Sequence, residues 1–306
     1  FFCNSGAEAN ESAIKLIKKY GNTVHKGKES FILAAESSFH GRTLATLSAT
    51  GQPKYQKGFE PMVKGFKFFK YNDIVSVKKL FEELKENNQK ASGILVEPIQ
   101  GEGGVIPGDK KFFKELREIC NQYNSLLILD EVQSGVGRTG KMWGYENLEI
   151  EPDGFTLAKG LGGGHAIGAL LVQKKANIFT PGDHASTFGG NPFACRAAIT
   201  VLEEIKRRKI LKNVFERGNQ LNEGFTKISA KFPNIISGIR GLGLIQGLVI
   251  NDSYTDAKTI TLKAFDKGLL LVPAGGNVVR FVPPLIITRN EINILLKKLD
   301  LIFEEM

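Results

Sequence analysis

Two short apolar runs in this chain each end on a residue that could do chemistry. Residues 126–129 are followed by Asp130 and Glu131. Residues 155–158 are followed by Lys159 and a glycine-rich stretch. Runs this short and apolar are typical of buried strands in a parallel sheet, whose carboxyl ends form the ligand-binding edge. A lysine that forms a Schiff base and a carboxylate that pairs with a pyridinium nitrogen are what a pyridoxal phosphate site requires.

Either residue alone also has an ordinary structural explanation. An Asp after an apolar run is often a helix cap or a turn residue, and Ala-Lys-Gly is usually a surface lysine before a turn. The glycines after Lys159 are not a nucleotide-binding loop, because the sequence contains neither G-x-x-x-x-G-K-[ST] nor G-x-G-x-x-G opening a helix after a first strand. We interpret them as a turn that reverses the backbone beside the lysine.

The segments around these residues resemble the class III, ornithine-type aminotransferases, which are fold-type I pyridoxal phosphate enzymes. The matching segments occur in the family's order from Asn4 to Leu285 and are NSGAEANE, FHGRT, VEPIQGEGG, LDEVQSGVGRTG, LAKGLGGG, HASTFGGNPFAC and RFVPPL. The resemblance covers nearly the whole chain. It implies that Lys159 carries the cofactor and that Asp130 pairs with the pyridine nitrogen.

The start of the chain predicts a phosphate site. Ser5 and Glu8 have the spacing of a helix capping box. Gly6 and Ala7 leave backbone N–H groups unobstructed at the positive end of the following helix, where phosphate binds well. The resemblance assigns this turn to the cofactor's phosphate. It also implies further cofactor contacts. Phe39 lies against the pyridine ring, and Thr187 donates to the phosphate bound by a neighbouring subunit. The residues after the first apolar run, Glu131, Val132 and Gln133, also contact the cofactor, with Gln133 on its phenolic oxygen.

Four residues are expected to contact substrate. Arg42 can grip a carboxylate through two parallel hydrogen bonds. The resemblance pairs Glu102 with Arg280 as a switch that hides the arginine from an ω-amine substrate and frees it for an α-amino donor. A purely structural salt bridge is the alternative for this pair. Ser186 is implied to touch substrate, and the sharing of Thr187 between subunits implies a homodimer.

Strand and helix patterns alternate along the first part of the chain, which predicts a mostly parallel sheet with right-handed crossovers. After a long helix at about 192–208, the patterns predict a smaller α+β layer. We therefore expect an α/β, fold-type I transferase with a large cofactor-binding domain at 1–209 and a small C-terminal domain at 210–306. Residues 50–70 show no clear periodicity and are predicted to be an irregular connection.

Composition excludes several other classes. The 306 residues are 42% hydrophobic and 24% charged, as in ordinary soluble globular proteins. The net charge is +9, yet no nucleic-acid-binding signature accompanies it, and no apolar run approaches membrane-spanning length. The three cysteines lack metal or redox spacing, and His40 has no metal or triad signature nearby. We expect no metal, interpret His40 as structural, and expect a reduced, cytoplasmic setting.

The reaction implied by the resemblance is a ping-pong transamination. Lys159 holds the cofactor as an imine and, once displaced by the donor amine, moves a proton between the substrate carbon and the cofactor's C4′. Two of the segments are most similar to members that transfer the δ-amino group of N-acetylornithine to 2-oxoglutarate in arginine synthesis. Ornithine, succinyl-diaminopimelate and 4-aminobutyrate are the alternative donors.

Two further functions remain open. An aminomutase of the same fold keeps Lys159 and Asp130 but needs no amino acceptor. The first residues, FFCN, are not a typical protein start, so we expect a preceding segment that adds small-domain structure, part of the substrate pocket and dimer contacts. An inactive fragment that binds no cofactor is therefore the second alternative.

Overall fold

The structure is a computed structural model that describes residues 1–26 and 28–306. Its described residues cluster into two compact units. Unit 1 comprises Phe1–Pro98, Gly108–Val136 and Trp143–Glu203. Unit 2 comprises Ile99–Pro107, Gly137–Met142 and Glu204–Met306. The sequence analysis put 99–107 and 137–142 in the first domain, whereas these short segments cluster with the C-terminal residues.

The described strands are β1 (Phe2–Cys3), β2 (Ser30–Ala35), β3 (Phe66–Phe69), β4 (Lys90–Val96), β5 (Ile99–Gln100), β6 (Ile106–Pro107), β7 (Leu126–Asp130), β8 (Gly154–Leu157), β9 (Gly168–Val172), β10 (Ile236–Leu242), β11 (Ile245–Ile250), β12 (Val272–Ala274) and β13 (Val278–Phe281). The α-helices are α1 (Gly6–Val24), α2 (Leu44–Ala49), α3 (Pro53–Gln56), α4 (Ile74–Glu86), α5 (Lys110–Tyr123), α6 (Pro192–Arg207), α7 (Ile210–Lys231), α8 (Ala257–Asp266) and α9 (Arg289–Glu304). Short 3-10 helices cover Gly144–Asn147, Lys159–Gly162 and Lys174–Ala176.

The sheet of unit 1 has the strand order β1-β9-β8-β7-β4-β2-β3. The neighbouring strands β8, β7, β4, β2 and β3 are parallel to one another. At the other edge β9 is antiparallel to β8, and β1 is antiparallel to β9. The predicted, mostly parallel sheet is therefore confirmed. The prediction of an irregular connection at 50–70 was wrong, because α3 and β3 lie within it. β3 is an edge strand of four residues, three of them only half-buried, so it is too short to produce a readable alternation.

Strand β7 is buried on both faces because helices cover both sides of the sheet. Leu127 and Leu129 pack in one apolar cluster with the buried faces of α4 and α5. Leu126 and Ile128 pack in another with α1, through residues such as Ile17. The alternation follows from the two-residue period of a strand. Each fully buried side chain contributes about 1.5–3 kcal/mol, so the carboxyl end of β7 is rigidly supported.

Unit 2 contains an antiparallel sheet of order β10-β11-β13-β12. One apolar cluster joins this sheet to α7, α8 and α9, through residues such as Phe225, Ile260 and Leu299. A second cluster packs Ile99 and Val105 against other residues of the same unit. This packing explains why the β5–β6 hairpin belongs to unit 2.

No helix in the described ranges combines the length and the apolar character that crossing a bilayer requires.

Candidate active site

Asp130 is the last residue of β7 and is 5% exposed. Its Oδ2 accepts from Nδ2 of Asn10 at 2.7 Å and lies 2.8 Å from Nδ1 of His40. Since a carboxylate can only accept, His40 donates through Nδ1. Oδ1 accepts the backbone N–H of Val132 at 3.0 Å. These donors come from three different segments of unit 1 and hold the carboxylate in one orientation.

The sequence analysis missed the role of Asn10 and interpreted His40 only as structural. Asn10 is 1% exposed, and its Oδ1 accepts from Oγ1 of Thr156 at 2.7 Å. Its Nδ2 also donates to the carbonyl of His40 at 2.7 Å. A signal for it was available, because Asn10 stands four and seven residues before Ile14 and Ile17, on the buried face of α1. A polar residue on such a face needs hydrogen-bond partners.

The imidazole of His40 is 2% exposed and has one ring nitrogen without a described partner. Nδ1 is engaged by Asp130, while Nε2 is buried and makes no hydrogen bond to the described residues. The ring is therefore held by a single polar contact, to the carboxylate. This arrangement suits a histidine that orients the carboxylate of Asp130.

Lys159 lies at the same edge of the sheet as Asp130. β8 runs parallel to β7, and Asp130 pairs with Thr156, three residues before Lys159. At about 3.3 Å per residue, those three residues span at most about 10 Å. Lys159 is exposed and begins the 3-10 helix Lys159–Gly162. The structure thus brings together the two residues that the sequence singled out.

The backbone at Lys159 has an unusual conformation. Its φ is 45°, in the left-handed region that costs a non-glycine residue of order 1–3 kcal/mol. Gly163 and Gly164 follow with φ of 59° and 113°. The predicted reversal of the chain beside the lysine is therefore present.

Ser5 is the N-cap of α1, as the phosphate-site prediction requires. Its Oγ accepts the N–H of Glu8 at 3.2 Å. The carboxylate of Glu8 accepts from Asn4, through Nδ2 at 3.0 Å and through the backbone N–H, so it reaches one residue further back than the predicted capping box. The N–H groups of Gly6 and Ala7 have no acceptor within the helix. They lie at its positive end and are suited to an anion.

The start of α1 lies against the loop that follows β7. A Cβ placed on Gly6 would come within 2.7 Å of Cγ1 of Val132. Only a glycine permits this approach without displacing Val132, which stands two residues after Asp130. The predicted phosphate turn and the predicted ring-nitrogen partner are thus parts of one site in unit 1.

Glu131 is fully buried beneath this loop. Its carboxylate accepts from Oγ of Ser134 at 2.6 Å, from the N–H of Gly144 at 2.8 Å and from the N–H of Tyr145 at 2.7 Å. Burial raises the pKa of Glu131 to about 7, although these three donors lower it. The side chain therefore ties the loop to the 3-10 helix Gly144–Asn147. Its contact with a cofactor stays a prediction, as does that of the half-buried Gln133.

Phe39 and Arg42 lie in the segment after β2. Phe39 is half-buried, and its N–H donates to Oε2 of Glu97 at 3.3 Å. Arg42 is exposed, with its guanidinium carbon 5.3 Å from the centroid of the Phe39 ring. Phe39, predicted to lie against the cofactor ring, and Arg42, predicted to bind a carboxylate, therefore stand on either side of His40, which contacts Asp130.

Ser186 and Thr187 lie in the loop before α6. Oγ of Ser186 accepts from Nδ2 of Asn4 at 3.2 Å and from the N–H of Gly189 at 3.1 Å. Thr187 is exposed. Both residues line a cavity of about 560 Å³ beside the start of α1. The loop is therefore attached to the segment that leads into the phosphate turn.

Arg280 and Glu102 form an ion pair within unit 2. Nη1 of Arg280 lies 2.7 Å from Oε1 of Glu102, and Arg280 is 7% exposed. Arg280 belongs to β13, while the backbone of Glu102 accepts the N–H of Gly275 at 2.9 Å. The pair is in the closed arrangement, and its role toward a substrate stays a prediction.

The residues of unit 1 fit a flat cofactor that carries a phosphate. Asp130 offers an oriented carboxylate, and Lys159 is an exposed residue that carries an amine. The start of α1 offers an anion site. It lies so close to Val132 that a Cβ on Gly6 would collide with that side chain. Pyridoxal phosphate requires a carboxylate for its ring nitrogen, an amine for its aldehyde and an anion site for its phosphate.

The comparisons with known proteins agree with this geometry. The family model described as Aminotransferase class-III matches residues 1–303. A curated acetylornithine aminotransferase from Prochlorococcus marinus subsp. pastoris (strain CCMP1986 / NIES-2087 / MED4) is 98% identical over 306 residues, which are 100% of this chain and 74% of that protein.

Two solved structures are also similar. The N-acetylornithine aminotransferase from Stenotrophomonas maltophilia K279a is 36% identical with a TM-score of 0.82, covering 100% of this chain and 74% of that one. The ornithine aminotransferase from Toxoplasma gondii crystallized with oxidized glutathione is 32% identical with a TM-score of 0.91, covering 99% and 71%, and has partial occupancy of PLP at its active site. The expected fold and family are confirmed, and the chain belongs to the class-III aminotransferases.

Proposed function

We propose that this chain transfers the δ-amino group of N-acetylornithine to 2-oxoglutarate, giving N-acetylglutamate semialdehyde and glutamate. The observation that carries the proposal is the 98% identity, over all 306 residues, to a relative named acetylornithine aminotransferase. Substrate choice in this kind of enzyme depends on a few pocket side chains. At 98% identity the two chains share nearly all of their side chains over these 306 residues.

The proposed cofactor is pyridoxal 5′-phosphate, attached through Nζ of Lys159. When bound, it supplies a conjugated ring that takes up the electron pair left at the donor's carbon. Ser5, Gly6 and Ala7 hold its phosphate at the positive end of α1. The oriented carboxylate of Asp130 supports this assignment, because it could accept a hydrogen bond from a protonated pyridine nitrogen and balance its positive charge.

Each neighbouring side chain has a proposed task toward this group. Phe39 would lie against the ring, Gln133 would bind its phenolic oxygen, and Val132 would also contact the cofactor. Glu131 positions the loop that carries Val132, since its own carboxylate is occupied by Ser134 and two backbone N–H groups. The side chains that contact the ring are therefore held by others that do not.

Lys159 performs the proton transfer in this proposal. Its amine would take the proton from the δ-carbon of the donor and hold it for return within the same half-reaction. Nζ is thus base and then acid in the same half-reaction. The left-handed backbone at Lys159 is strained, and strain of this kind is typical of residues at functional sites.

Arg42, Ser186 and Arg280 are proposed to bind substrate. Arg42 is exposed, and its guanidinium suits the carboxylate of N-acetylornithine. Arg280 is proposed to bind a carboxylate of glutamate or 2-oxoglutarate when Glu102 releases it. The closed ion pair at 2.7 Å supports this switch, because the pair keeps a second positive charge masked while the ω-amine donor is bound.

The active unit is proposed to be a homodimer. Phe188 and Phe193 are 71% and 72% exposed, and a partner subunit would cover them. They flank the loop that carries Thr187, the residue proposed to donate to the phosphate bound by the neighbouring subunit. A cytoplasmic setting is proposed from the biosynthetic reaction.

The proposed function is tested by spectroscopy and a donor scan. Adding pyridoxal phosphate should produce a visible absorption band that borohydride removes, leaving a reduced cofactor on Lys159 alone in peptide mass spectra. N-acetylornithine should then be used faster than ornithine, succinyl-diaminopimelate or 4-aminobutyrate, and only with 2-oxoglutarate present. Turnover without an amino acceptor would instead indicate an aminomutase, and failure to form the band would indicate an inactive fragment.

A further inference from the structure

Arg42 stacks on an aromatic ring that the proposed function does not use. The guanidinium carbon of Arg42 lies 4.0 Å from the centroid of the Tyr55 ring and 5.3 Å from that of Phe39. The two rings themselves meet edge to face, with centroids 5.9 Å apart and an interplanar angle of 86°. Tyr55 thus packs against both Arg42 and Phe39.

The stacking leaves the hydrogen-bonding edge of Arg42 available. A cation–π contact uses the flat face of the guanidinium, whereas its N–H donors point outward in the plane. Within residues 1–26 and 28–306, no carboxylate forms an ion pair with Arg42. The side chain is exposed, so without the ring it would sample many rotamers and lose entropy on binding an anion.

Tyr55 is held in place by two neighbouring glutamines, one on each side of it in the sequence, whose side chains form hydrogen bonds. Nε2 of Gln52 donates to the carbonyls of Ser37 and Ser38 at 3.2 and 3.0 Å. Nε2 of Gln56 donates to the carbonyls of Leu47 and Thr50 at 3.1 and 3.0 Å. These glutamines flank Tyr55 in and next to α3, whose start is also fixed by a proline at its first position.

Two of the carbonyls that accept from these glutamines lie just before the Phe39–Arg42 segment. Ser37 and Ser38 immediately precede Phe39, and Thr50 accepts the N–H of His40 at 3.0 Å through Oγ1. Helix α3, which carries Tyr55, and the segment that carries Arg42 are therefore hydrogen-bonded to the same stretches of chain. Any displacement of α3 would move the Tyr55 ring relative to the guanidinium.

We infer that Tyr55 is a positioning residue for substrate: its ring orients the guanidinium fork of Arg42 toward the α-carboxylate of the amino donor. This inference rests on the proposed function, in which Arg42 binds that carboxylate. Lys54 also approaches the ring, with Nζ 4.8 Å from the centroid, so the effect of the ring on Arg42 must be isolated by a double-mutant cycle.

The experiment compares donors that differ only in the carboxylate. The KM and kcat of the full chain are measured with N-acetylornithine and with N-acetylputrescine, its decarboxylated counterpart. Tyr55→Leu should raise the KM for N-acetylornithine roughly three- to tenfold, the range expected for loss of a cation–π contact, and leave kcat and the KM for N-acetylputrescine nearly unchanged. Tyr55→Phe keeps the ring and should behave like the wild type.

The cycle with Arg42→Gln completes the test. In that background Tyr55→Leu should have no further effect on either donor. A Tyr55→Leu variant that impairs both donors equally, or that keeps its full effect without Arg42, would overturn the inference while leaving the proposed function intact. A wild-type protein that transfers amino groups from none of the donors would overturn the proposed function itself.

Discussion

The Nδ1 atom of His40 lies 2.8 Å from Oδ2 of Asp130, and both side chains are buried. The same oxygen accepts from Asn10 at 2.7 Å. In a water-poor site, hydrogen bonds to a charged group contribute about 1.5–3 kcal/mol each. His40 and Asn10 therefore determine where the carboxylate points, and through it the orientation of whatever Asp130 binds.

Replacing His40 tests this relationship. His40→Leu should lower kcat roughly tenfold or more, because one hydrogen bond to the Asp130 carboxylate is lost, with little change in the KM of either substrate. His40→Gln can still donate and should recover part of the loss. Steady-state kinetics on both variants provide the measurement. Equal kcat values for the Leu and wild-type proteins would show that Asp130 does not depend on the histidine.

Replacing Lys159 should abolish transamination. Lys159→Ala removes the only residue proposed to move the proton, and general acid–base catalysis contributes about 10²–10⁴-fold. Stopped-flow absorbance of the N-acetylornithine half-reaction should show a loss of at least about 10²-fold, with the fold retained by circular dichroism. Substantial turnover in this variant would refute the assignment.

Enlarging Gly6 should weaken binding of the cofactor's phosphate. In Gly6→Ala the new Cβ would meet Val132 at 2.7 Å, and overpacking of this kind costs about 1–3 kcal/mol. The dissociation constant for pyridoxal phosphate, measured by fluorescence titration, should rise roughly tenfold. The double variant Gly6→Ala/Val132→Ala relieves the contact and serves as the matched control. If it binds no better than Gly6→Ala, the close approach is not the cause.

Glu131 should make stability depend on pH. Its pKa is about 7 in the folded chain against an ordinary 4.5, so between these values the folded state retains a proton that the unfolded state has released. This contribution to stability is full below about pH 4.5 and is lost as the pH rises through about 7.

A Glu131→Gln variant isolates this effect, because other titrating groups are common to both proteins. The free energy of unfolding of the wild type, relative to the variant, should fall by roughly 2 kcal/mol between pH 5 and pH 8. Urea unfolding at both pH values measures it. Parallel profiles for the two proteins would contradict a raised pKa.

Breaking the Glu102–Arg280 pair should shift the balance between the half-reactions. In Glu102→Gln the charge that masks Arg280 is absent, so carboxylate binding there should become favourable throughout the cycle. The rate ratio of the glutamate to the N-acetylornithine half-reaction should rise roughly tenfold, as expected for about 1.4 kcal/mol. Glu102→Asp keeps the charge and is the control. A ratio that is the same in all three proteins would favour the purely structural salt bridge.

Much of the fold was predictable because local patterns determine it. The apolar run before Asp130, the amphipathic stripe of α1 and the strand ending near Lys159 each indicate one element without reference to the rest of the chain. The edge strand β3 was not predictable, since four residues, three of them half-buried, produce no clear period. The assignment of 99–107 to unit 2 was also not predictable, because it depends on packing of Ile99 and Val105 against residues over a hundred positions away.

The sequence by itself determined the candidate reactive residues, Lys159 and Asp130, and the glycine-rich turn and helix start that accompany them. These are properties of residue type and spacing. The tertiary structure alone decided that Asn10 and His40 orient Asp130, that Gly6 meets Val132, and that Tyr55 stacks on Arg42. Such contacts join segments remote in the chain, and side-chain direction and burial, which local sequence does not encode, decide whether they form.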